Sequence, residues 1–210
     1  ADSFVGGSGY DQVSYGFYPA DSGNPTQGVS VDLLNGAGRD AFNGLDRFSG
    51  IEVIFGSSFA DTISGGAAAE TLWGSGGANS LSGGGGNDLI SGGSANETLA
   101  GGSEADTLYG NGGADSYAGG DGADHLYAGS GADTLDGAAG NDTLIGGLGA
   151  DTLTGGNGTD TADYSASSSA VTAYLTGTAG IGGDAAGDVL SGVENLIGSA
   201  NADTLLGDGN

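Results

Sequence analysis

The 210-residue chain has no cysteine and no methionine, two prolines, one histidine and two basic residues, Arg39 and Arg47. Without cysteine there is no disulfide framework and no thiolate site. An extracellular protein of this size then needs another staple, and a metal ion is the one its side chains offer. Two arginines against 27 acids leave a formal charge of -25. That balance excludes a nucleic-acid partner and repels polyanionic sugars. No apolar run approaches a membrane span, and no basic amphipathic helix is present. Large aliphatic and phenylalanine side chains make up less than a fifth of the chain, while 49 residues are glycine. Glycine loses the most entropy on ordering, so composition alone describes a disordered chain. The chain starts at Ala1 without an initiator methionine or signal peptide, as a fragment or processed piece would.

What is there is a strict period. From Gly56 to about Asp163 a glycine-rich turn, an acid and one aliphatic residue recur every nine residues. Clean copies are Gly119-Gly120-Asp121-Gly122-Ala123-Asp124-His125-Leu126-Tyr127 and Gly146-Gly147-Leu148-Gly149-Ala150-Asp151-Thr152-Leu153-Thr154. Low-complexity coil has no reason to keep such a frame over twelve copies. Glycine at this density rules out helices. The x-aliphatic-x run makes a very short strand with the aliphatic inward and its neighbours outward. Strands nine residues apart then face each other across a thin core, and eighteen residues make one coil. Six coils at about 4.8 Å give a body roughly 30 Å long, with two parallel sheets. A chain that is this acidic and this regular is expected to fold when a cation neutralises its acids.

The repeat Gly-Gly-x-Gly-x-Asp-x-aliphatic-x resembles that of the RTX (repeats-in-toxin, hemolysin-type calcium-binding) family. The resemblance implies an all-β, right-handed parallel β-roll, a β-solenoid with calcium ions in its turns. It also implies export by the type I secretion machinery of a Gram-negative bacterium to the cell surface or beyond, alongside adjoining domains of a longer chain. Calcium takes six to eight oxygens and accepts backbone carbonyls among them, which glycine-rich turns can present. One edge of the roll carries Asp61, Asn79, Glu97, Asp115, Asp133 and Asp151; the other carries Glu70, Asp88, Asp106, Asp124, Asp142 and Asp160. By the resemblance, acids of neighbouring turns share each ion with carbonyls of the glycine segment. The expected ligands are Asp61, Asp88, Asp106, Asp115, Asp124, Asp133, Asp142, Asp151 and Asp160, with Gly83, Gly85, Gly101, Gly119, Gly137, Gly146 and Gly155. Asp11 and Asp203 join them from nonads in the flanks. Asn79 removes a charge, and Glu70 and Glu97 add a methylene, so the second edge is expected to hold the better sites. Ala128 and Ala139 are read as replacing glycine at undemanding positions. Extracellular calcium modules bind at about 0.1–1 mM, a range that leaves the chain unfolded in a low-calcium cytosol and folds it outside.

The flanks mirror each other. Leu45-Asp46-Arg47-Phe48-Ser49-Gly50-Ile51-Glu52 parallels Gly187-Asp188-Val189-Leu190-Ser191-Gly192-Val193-Glu194, and Val29–Leu33 parallels Val171–Leu175. The division expected is an irregular flank over 1–55, a regular roll over 56–163 and a second irregular flank over 164–210, all in one continuous solenoid with enlarged turns at its ends. No catalytic residue is expected. His125 is the sole histidine and faces outward with no nucleophile at fixed spacing. The outer faces differ: one is a ladder of small polar residues suited to water or ice, the other carries Trp73, Tyr109 and Tyr127, suited to sugars or a neighbouring domain. The first functional reading is therefore a calcium-dependent export and folding module that stiffens a larger secreted protein. The alternative is a surface-layer, adhesin or ligand-binding segment that uses one face.

Overall fold

A computed structural model describes residues 2–16 and 27–209. In the regular roll every coil places two strands, and each strand pairs in parallel with the strand eighteen residues on: Thr62 with Ser80, Thr98 with Ser116, Thr107 with His125. The result is an eleven-stranded sheet facing a nine-stranded one, with a separate two-stranded sheet at the C-terminal end. The only helical element among the described residues is the short 3-10 turn Gly183–Ala185. No helix there is long and apolar enough to cross a membrane.

The core is the eighth-position column of the nonad. Ile63, Leu81, Leu99, Leu135 and Leu153 on one sheet oppose Leu72, Ile90, Leu108, Leu126 and Leu144 on the other, each at most 1% exposed. Each such burial contributes about 1.5–3 kcal/mol, and the ladder is one residue wide, so every position counts. Strands of the middle coils are longer than the three residues the pattern predicts. Thr98–Ser103 and Thr134–Gly140 run on into the glycine turn, pairing Gly102 with Gly84 and Ala138 with Gly120. The turn stays extended because its second residue takes a positive φ, 104° at Gly84 and 111° at Gly120, which glycine adopts without strain. Ala138 adopts the same conformation at φ 71°.

The flanks join the same sheets through a local rearrangement. Ser30–Asp32, Ala37–Arg39 and Leu45–Ser49 form antiparallel pairs inside the otherwise parallel large sheet. Beyond the roll, Thr172 and Ile181 make the corresponding antiparallel bridge, and Thr172–Tyr174 pairs with Thr204–Leu206 as Ser30–Asp32 pairs with Thr62–Ser64. The mirrored sequences therefore fold into mirrored structures, with hairpins where enlarged turns alone were expected.

Candidate metal centre

The sixth-position acids do not lie on a solvated rim. From Asp61 to Asp160 every one of them is buried, none more than 6% exposed. Each acid is held in the coil by its backbone, whose carbonyl accepts from the strand residue of the next coil, as Asp88 accepts from Thr107 N–H at 2.8 Å. Its carboxylate then points back along the stack. Oδ1 of Asp106 accepts from the Asp88 N–H at 2.8 Å, Asp124 from Asp106 at 2.8 Å, Asp142 from Asp124 at 2.9 Å and Asp160 from Asp142 at 2.8 Å. The first edge repeats this with Asp115 on Glu97, Asp133 on Asp115 and Asp151 on Asp133, at 2.7 to 2.8 Å. One oxygen of each of these aspartates thus closes the backbone ladder between coils.

The other oxygen has no donor. Among the described residues, Oδ2 of Asp88, Asp106, Asp124, Asp133, Asp142, Asp151 and Asp160 is buried without a hydrogen-bond partner, as are both oxygens of Glu97. Except at Asp133, whose turn begins with Ala128, these carboxylates lie against the first glycine of their own turn. A side-chain carbon added at Gly119 would stand 2.5 Å from Asp124 Oδ2 and 2.8 Å from the carbonyl oxygen of Gly137, in the next coil. Gly83, Gly101, Gly137, Gly146 and Gly155 bring their own aspartates equally near, and so does Gly110, which the sequence reading did not single out. Gly85 does not: its added carbon would meet Ser103 and Ala67. Ala128 occupies this same first position, wholly buried beside the Asp133 turn.

A buried, ionised oxygen without a donor is costly, and it is resolved by a proton or by a cation. Burial pushes the Asp88 carboxyl up to about 7 and those of Asp106 and Asp142 to about 6, with neighbouring acids adding to the effect. Asp133 rises to about 6 and Glu97 to about 7, again chiefly through burial. Calcium suits the same oxygens: hard, anionic, paired with backbone carbonyls and dry. No three acids converge on one point among the described residues, so a cation here would rely on carbonyl oxygens for much of its shell.

Other acids are already satisfied. Asp61 accepts from Val29 N–H at 2.6 Å, Ser57 N–H at 2.6 Å and Ser57 Oγ at 2.7 Å. Asp203 accepts from Val171 N–H and Ser199 Oγ on Oδ1 alone, and Asp11 accepts from Gly7 N–H on Oδ2. Glu70 folds back onto Gly66 N–H, and Asn79 turns its amide to the Gly77 carbonyl. At Asp115 a phenol intervenes, because the Tyr117 hydroxyl reaches Oδ2 at 3.4 Å and fills the space in front of Gly110.

The structure also recruits acids the period could not reveal. Asp188 continues the first column, accepting from Asp151 N–H at 2.9 Å, and Glu194 continues the second, accepting from Asp160 N–H at 2.8 Å. In the first flank Asp46 and Glu52 accept from Asp2 and Asp11 N–H in the same way. Comparing the mirrored flanks is the signal that finds them.

Calcium-binding repeats of known type account for the stacked turns. The family model for the RTX calcium-binding nonapeptide repeat matches four times, over residues 48–78, 65–96, 91–126 and 127–162. The chain belongs to the RTX family. A search of curated proteins finds no match to it. As an RTX chain it carries a calcium-binding repeat module, on a β-solenoid that is a structural fold. The outer aromatic residues of the RTX roll stack along the sheet, Tyr109 on Tyr127 at 4.6 Å between ring centroids and Phe55 on Trp73 at 6.0 Å. They serve as cross-strand pairs.

Proposed function

We propose that this chain is a calcium-triggered folding module of a secreted protein. It remains open and extended during type I export from a Gram-negative cell and sets into a rigid roll outside. The observation that carries the reading is the run of seven aspartate Oδ2 atoms, buried and without donors, six of them set against the first glycine of their own turn. Calcium in those spaces would supply charge that the chain's two arginines cannot. The ions would lie chiefly along the second edge, held by Asp88, Asp106, Asp124, Asp142 and Asp160 with carbonyls of the turn glycines. Asp133 and Asp151 would hold further ions on the first edge. Asp61, both of whose oxygens accept from the chain's own donors, would close its end of the roll without metal, as would Asp11 and Asp203, each with one oxygen on such a donor. The module is non-catalytic and stiffens the adjoining domains of a longer chain.

Circular dichroism across a calcium titration tests this reading. At pH 7.5 strand signal should be absent in chelator and appear cooperatively on a scale of about 0.1–1 mM calcium. Full strand signal in excess chelator at that pH would sink it.

A further inference from the structure

Tyr117 interrupts the aliphatic column that fills the core. We infer, on the calcium reading above, that its phenol occupies a cation's place, so that the Asp115 turn takes no ion and the two edges of the roll load unequally. At the eighth position of the nonad Tyr117 stands between Leu99 and Leu135 on the same sheet, and all three are buried. A leucine side chain there ends within the core. Tyrosine is longer by a ring and a hydroxyl, and it carries a polar atom through the core to the turn.

The second edge shows the arrangement of an open turn. In front of Gly101 stand Oδ2 of Asp106 and the carbonyl oxygen of Gly119, one coil on. Asp124 and Gly137 stand in the same way before Gly119, and Asp142 and Gly155 before Gly137. Each of these three Oδ2 atoms is buried without a donor. A carboxylate and a carbonyl facing one space are oxygens of the kind that calcium takes.

The Asp115 turn has the corresponding oxygens with another atom between them. Directly in front of Gly110 the nearest atom is the Tyr117 hydroxyl oxygen, ahead of Asp115 Oδ2. That hydroxyl lies 3.4 Å from Asp115 Oδ2 and 3.3 Å from the carbonyl oxygen of Ala128, one coil on from Gly110. The carbonyl oxygen of Tyr127 is 3.4 Å away. A phenol has a single proton to donate, so it answers one of these acceptors at a time. It still excludes an ion, because the hydroxyl and a cation held by Asp115 Oδ2 and the Ala128 carbonyl would need the same space. Asp115 is accordingly missing from the acids whose Oδ2 lacks a partner, although Asp106, Asp124 and Asp133 around it all belong to them. Tyr15 and Tyr164 also donate to acids of the first column, Asp46 and Asp188. The second edge therefore keeps an unbroken row of donorless oxygens from Asp88 to Asp160, and the first keeps them only at Glu97, Asp133 and Asp151.

The test counts calcium bound per folded chain at saturation, by equilibrium dialysis and atomic absorption, with circular dichroism to follow the roll. Tyr117→Leu supplies the residue of the neighbouring coils and opens the space, so it should bind an additional ion per chain. Tyr117→Ile, which matches Ile63 and Ile90, repeats the test with a second side chain. Adding Asp115→Asn to Tyr117→Leu should take the additional ion away. Equal ion counts in the unaltered chain and both aliphatic variants would overturn the inference and leave the calcium reading intact. So would an additional ion that survives Asp115→Asn, or loss of the folded roll in both aliphatic variants. An unaltered chain that binds no calcium at all would instead sink the reading on which the inference rests.

Discussion

At the residue scale the turns use two devices to settle a buried carboxylate oxygen. Along the regular roll the oxygen is left for a cation; at three places a phenol takes it. Tyr15 donates to Asp46 Oδ2 at 3.2 Å, Tyr164 to Asp188 Oδ2 at 3.0 Å, and Tyr117 reaches Asp115. Tyr15 and Tyr164 both follow the acid of a nonad by four residues, Asp11 and Asp160, and both reach into a flank. There the coil is enlarged and a neutral donor does the work of a metal. Burial pushes the Asp188 carboxyl up to about 7 even with the phenol in place. Tyr164→Phe keeps the ring and removes the donor, leaving both Asp188 Oδ2 and its charge unanswered. It should lower stability by about 1–3 kcal/mol in chemical denaturation, with calcium saturating in both proteins. An unchanged midpoint would mean that water or a cation already serves Asp188.

At the scale of the coil, the acid ladder is broken where glutamate stands in the column. Glu97 leaves both oxygens unpartnered and Glu70 curls onto its own turn, so neither closes the backbone ladder as its aspartate neighbours do. The extra methylene carries the carboxylate past the preceding N–H. Glu97→Asp should restore that bond and align the first edge, raising the calcium-loaded melting temperature by a few degrees, as about 1 kcal/mol would. A fall in melting temperature would show that the coil at Asn79 is shaped around the longer side chain. The coil is also where reading from sequence works and where it fails. Inward aliphatics and the eighteen-residue register were legible because one residue type recurs at one position, from Ile63 to Leu153. The acid column was legible for the same reason. Asp46, Glu52, Asp188 and Glu194 were not, because the enlarged turns move them off the nine-residue frame while hydrogen bonding returns them to the column. Nor did spacing distinguish Asp61, satisfied by Ser57 and Val29, from Asp124, which is not. That difference lies in the serine of the turn and in Val29, 32 residues away.

For the molecule as a whole, the stacked acids make stability depend on pH in a direction opposite to that of most proteins. An exposed aspartate in the unfolded chain titrates near 3.9. In the folded roll burial raises Asp88 to about 7 and Asp106, Asp133 and Asp142 to about 6. Between these limits the folded state holds more protons than the unfolded state, so metal-free stability falls as pH rises and levels off above about 7. It is fully present only below about pH 4, where both states are protonated. Calcium reverses the trend because it replaces protons on the same oxygens, and its affinity grows as they leave. Thermal unfolding followed by circular dichroism should therefore diverge between two conditions. In chelator the midpoint at pH 4.5 should exceed that at pH 7.5, where the strand signal collapses. In millimolar calcium the midpoint should hold or rise across the same interval, and the gain from calcium should be greatest at the higher pH. A metal-free midpoint that climbs with pH would mean that the buried aspartates are solvated or otherwise paired. The ladder of unanswered oxygens would then lose its role as the switch that couples folding to calcium.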